Sequence, residues 1–95
     1  MTIKRWRCIL RWLRKNFPVE SPVVVKRVSQ KDSVTRFDGR RYHIRIALTK
    51  SASDQVDSIL HEWGHIRSMD EAFHHKGSWP VHFGGIYDAY EKEMI

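Results

Sequence analysis

The sequence predicts one α+β domain: an N-terminal helix, a small sheet of about three strands, then two further helices. Three observations predict it. The chain has 95 residues, which suits one small domain and leaves no room for a second. Apolar residues recur every three to four positions near both ends and again after residue 55, the period of a helix with one buried face. Between residues 22 and 49 that period gives way to β-branched runs broken by Asp38-Gly39, which marks strands joined by a tight turn.

In the first element Ile3, Trp6, Leu10, Leu13 and Phe17 form one stripe, with Arg5, Arg7, Arg11, Arg14 and Lys15 mostly on other faces. Pro18 ends it, because the residue before a proline avoids the helical region. The stripe reads as core packing, with a membrane-surface or partner-docking helix as the sharper alternative. A secretory signal is not expected, since Arg7, Arg11 and Arg14 interrupt the apolar residues and no small-residue cleavage site follows.

Pro22 to Val28 is a β-branched strand, Val34 to Phe37 a second, and Arg41 to Thr49 a third. In the third, Tyr42, Ile44, Ile46 and Leu48 alternate with His43, Arg45 and Ala47, as in a half-buried strand. An exposed edge on Tyr42–Leu48 would let an extended substrate pair with it; the bland alternative is a plain sheet strand. Ser51 with Asp54 three residues later resembles a capping box, with Ser53 as a second cap. Val56, Ile59, Leu60 and Trp63 then line the buried face of a helix. Residues from about Glu71 to Ser78 read as a loop. A last helix runs from about Trp79 to Met94, with Pro80 tolerated in its first turn.

Composition narrows the chemistry. Apolar residues make up 41% and charged residues 29%, a globular balance that excludes a disordered chain. Cys8 is the sole cysteine, so an intrachain disulfide is excluded, a reducing cytoplasmic setting is expected, and any zinc site must use histidines and carboxylates. No apolar run reaches the ~20 residues that span a bilayer. The net charge of +6, concentrated before residue 51, suits an acidic partner or DNA contacted through the basic N-terminal half, or simply a solvated face.

The motif that carries chemistry is His61-Glu62-Trp63-Gly64-His65, an H-E-x-x-H sequence on the helix after the sheet. Residues four apart on a helix share a face, so both imidazoles can reach one zinc ion at ~2.0–2.1 Å. Glu62 projects beside them, placed to take a proton from a zinc-activated water without ligating. A catalytic zinc has three protein ligands and an open position. The third would lie after the helix, at His75 or else His74, with His82 inside the last helix. Asp57, one turn before His61, could orient an imidazole or be solvated. Tyr87 and Tyr90 could assist an oxyanion, but their spacing favours packing.

With these residues in view, the chain resembles the SprT-like zinc metallopeptidases, in particular the short phage and bacterial forms. The resemblance runs from Phe17-Pro18 and Pro22-Val23-Val24-Val25 through Arg41-Tyr42-His43-Ile44-Arg45-Ile46 to Ile59-Leu60-His61-Glu62-Trp63-Gly64-His65. It ends in a histidine followed by aromatics at steps of four: His75, Trp79, Phe83 and Tyr87. That pattern implies a minimal zincin-like domain over residues 1–95, with Zn2+ held by His61, His65 and His75 and Glu62 as general base. It implies a zinc metalloendopeptidase acting on peptide or protein substrates. One departure is Lys76, where the family often has glycine; Gly77 follows one position later. The competing expectation is a basic nucleic-acid-associated module whose zinc site is structural or degenerate.

Overall fold

The computed structural model describes the backbone of residues 1–74 and 79–94 and the side chains of residues 1–70 and 85–93. Helix α1 spans Ile3–Asn16, strands β1, β2 and β3 span Val23–Val28, Val34–Phe37 and Tyr42–Ala47, and helices α2 and α3 span Ala52–His74 and Trp79–Met94. The predicted α+β order is therefore the observed one.

Each boundary has a local cause. The Thr2 hydroxyl accepts the Arg5 amide at 3.1 Å and caps α1, meeting one of the orphan donors of a first turn. Arg14 and Lys15 lie in its last turn, where cations complement the helix dipole. The Phe17 amide still donates to the Leu13 carbonyl at 2.8 Å, and Pro18 stops the ladder. At the β2–β3 turn Gly39 takes φ +97°, a region costly for a residue with a Cβ. Asp38 keeps a negative φ, so the turn relies on its side chain instead: Oδ1 accepts the Arg40 and Arg41 amides at 2.9 and 2.8 Å. The Ser51 hydroxyl accepts the Asp54 amide at 3.2 Å and caps α2 as expected.

The sheet order is β1-β3-β2, with β1 parallel to β3 and β2 antiparallel to it. The expected exposed edge on Tyr42–Leu48 is therefore corrected: β3 is the central strand, and its edge is taken on both sides. The edge beside α2 is β2. Leu48 also leaves the predicted alternation, lying past the end of β3 and 45% exposed.

One face of the sheet carries the core. Tyr42, Ile44 and Ile46 are buried against Val56, Ile59, Leu60, Trp63 and Ile66 of α2, Trp6, Ile9 and Leu13 of α1, and Ile86 and Tyr90 of α3. The buried stripe of α1 is Trp6-Ile9-Leu13, rotated from the predicted one; Ile3 is 56% exposed. Trp6, Ile9 and Leu13 thus pack inside the protein, the core use expected of this helix. The Trp6 ring also stacks under the Arg27 guanidinium of β1 at 5.2 Å, a cation–π contact. No helix among the described residues is long and apolar enough to cross a membrane.

Helix α2 does not end where a loop was expected. It runs unbroken through Glu71 to His74. Glu71 and Ala72 favour helix, and the first glycine of this stretch is Gly77, so nothing in the local sequence ends the helix sooner.

Candidate metal centre

The rotation of α2 decides what its polar side chains can reach. Trp63, Arg67 and Asp70 follow one another along one stripe of the helix and all hold the connector after α1. The Trp63 indole N–H donates to the Phe17 carbonyl at 2.8 Å, Arg67 donates to the Pro18 carbonyl at 2.5 Å, and Asp70 accepts the Glu20 amide at 3.0 Å. Asp70 also faces Tyr42, whose phenol is pushed up to about 12, first by burial and then by that carboxylate. With this stripe anchored, His61 and His65 fall on the opposite side of the helix and Glu62 on the flank between, beside β2 and an open cleft.

The two imidazoles converge there. Nε2 of His61 and Nε2 of His65 lie 3.0 Å apart, with ring centroids 4.7 Å apart at 78°. Both nitrogens therefore address a common point, the donor arrangement that one zinc ion accepts at ~2.0–2.1 Å from each. Burial holds the His65 imidazole below its usual pKa; nearby Glu62 opposes that shift and His61 adds to it. A neutral imidazole is the form that ligates a metal.

Glu62 is 8% exposed. Its carboxylate Oε2 accepts a hydrogen bond from the Thr35 hydroxyl of β2. It borders two cavities. One, of about 330 Å³, is lined by His61, Ser33, Asp57, Ser58 and Tyr87 among others. The other, of about 310 Å³, is lined by Val34, Thr35, His65 and Met69. The carboxylate thus sits between two solvent-accessible hollows beside the paired histidines.

The structure brings His61, Glu62 and His65 together as the motif predicted. His75, expected as the third ligand, lies outside the described residues. The backbones of His74 and His82 belong to α2 and α3, and their side chains are outside the described set. Among the described residues no group of three or more His, Cys, Asp or Glu side chains gathers as a metal site. Asp57 holds Tyr87: the Tyr87 hydroxyl donates to Asp57 Oδ1 at 3.1 Å. Burial and this carboxylate push the Tyr87 phenol up to about 12, so it remains a proton-bearing donor at the cleft wall. Tyr90 is 5% exposed and belongs to the core. Thr35 was not predicted. Its only signal is a polar residue at the inward position of a short alternating strand.

No known protein family, curated protein or solved structure matches the chain.

Proposed function

We propose that this chain is a zinc-dependent metallopeptidase in which His61 and His65 supply two zinc ligands and Glu62 is the general base. The observation that carries the reading is the 3.0 Å approach of the two Nε2 atoms with the Glu62 carboxylate beside them on an open cleft. The sequence resemblance assigns the third ligand to His75. Zinc, when bound, supplies Lewis acidity that brings the pKa of a water to about 7 and polarises a peptide carbonyl. The chain's own residues do the rest. Glu62 accepts the proton of the attacking water and returns it to the leaving amine. The outer edge of β2, next to Glu62, offers backbone groups to an extended peptide, which would add as a fourth strand.

The test is zinc content and peptidase activity of purified full-length protein. Wild type should carry stoichiometric zinc, and His61→Ala, His65→Ala and His75→Ala should each lose it or bind it far more weakly. Glu62→Gln should keep its zinc and lose roughly 10²–10⁴-fold in kcat. Folded wild-type protein that takes up no zinc would sink the reading.

A second reading is favoured by the far face of the sheet. The register places Lys26 beside Arg45, and His43 beside Arg36, on the face opposite the core; Lys26, Arg36 and Arg45 are all exposed. Such a cationic face suits a nucleic-acid backbone. On this reading DNA binding should weaken steeply with salt, and Lys26→Glu with Arg45→Glu should abolish it. Binding of equal strength in that double variant would remove the reading.

A further inference from the structure

We propose that Thr35 is a positioning residue for Glu62, setting which carboxylate oxygen faces the cleft. This deepens the metallopeptidase reading and rests on it. Thr35 lies on β2, paired with Ile44 of β3, so its side chain points to the core side of the sheet. There its hydroxyl donates to Glu62 Oε2, across 27 residues of sequence. Threonine is branched at Cβ and stiff about χ1, and pairing with the central strand β3 holds its backbone. The donor is therefore a fixed point rather than a mobile side chain.

Glu62 needs such a point. An unrestrained carboxylate rotates about its last torsion, which has a broad profile. A hydroxyl held on Oε2 restricts that rotation and leaves Oε1 as the oxygen that exchanges protons. A hydrogen bond to an ionised acceptor is stronger than one between neutral groups, and Glu62 as a whole is only 8% exposed. The placement also joins two tasks. Thr35 is in the strand whose free edge would receive an extended peptide, so the segment that aligns the peptide is the one that aims the base.

The experiment compares Thr35→Val, which keeps the shape and removes the hydroxyl, with Thr35→Ser, which keeps the hydroxyl. Thr35→Ala serves where valine overpacks. In zinc-loaded full-length protein, Thr35→Val should retain zinc and fold while kcat falls roughly 10–100-fold and KM changes little; Thr35→Ser should recover most of kcat. Independently of activity, the carboxylate carbon resonance of Glu62 in metal-free protein should move in Thr35→Val and return in Thr35→Ser. Wild-type kcat in Thr35→Val, or an unmoved resonance, would overturn the positioning role alone. Zinc-loaded wild type with no peptidase activity would instead overturn the general-base reading, and the positioning role with it.

Discussion

Trp63 sits inside the H-E-x-x-H motif, yet its work is on the opposite side of the helix from His61 and His65. Its ring is fully buried and its N–H holds the Phe17 carbonyl. Truncation to alanine should cost roughly 3–5 kcal/mol, read by urea denaturation. Trp63→Phe keeps most of the volume but leaves a carbonyl without its donor, and should cost roughly 1–3 kcal/mol. Trp63→Phe should also weaken zinc retention, because the same contact fixes the rotation of α2. The motif residues were legible because helical periodicity alone places positions 61 and 65 on one face. The Thr35–Glu62 and Tyr87–Asp57 contacts were not, because each joins residues far apart in sequence whose approach depends on how the sheet and helices pack.

At the scale of elements, α1 is the part whose purpose changes most between sequence and structure. Its type and end were readable from periodicity and Pro18. Its buried face was not, since Ile9 and Leu10 are both apolar and only packing chooses Ile9. Leu13 is fully buried in that stripe, so Leu13→Ala should destabilise the protein by roughly 2–5 kcal/mol, visible as a large drop in Tm. Deleting residues 1–17 should abolish cooperative unfolding altogether, because α1 supplies core and also the carbonyl that Trp63 holds. A folded deletion variant would show α1 to be an accessory. The α2 cap was legible from Ser51 and Asp54, and Ser51→Ala should cost about 1 kcal/mol. The far end of α2 was not, because no glycine or proline lies between Glu71 and His74 to enforce the expected loop.

For the whole molecule, two raised phenols set an alkaline limit. Tyr42 and Tyr87 ionise at about 12 in the folded protein, against the usual 10. Below about pH 10 both are protonated whether folded or unfolded, and their contribution is fully present. Between about 10 and 12 the unfolded chain releases protons that the folded chain retains, so stability falls as pH rises. Denaturation midpoints across that range should decline, and less steeply in Tyr87→Phe. The strand order β1-β3-β2 was beyond sequence reasoning, because a two-residue turn signal names the β2–β3 pair and nothing local names the β1 partner. That order also has a bearing on synthesis. Both outer strands leave the ribosome before the central one, and neither pairs with the other. A nascent chain emerged only as far as Arg41 carries two strands and no sheet. The parallel β1–β3 ladder must close across the intervening β2 segment, a non-local step that is slow relative to hairpin formation. Until residues 42–47 arrive, Val23–Val28 remains an unpaired β-branched segment whose edge is open to other chains.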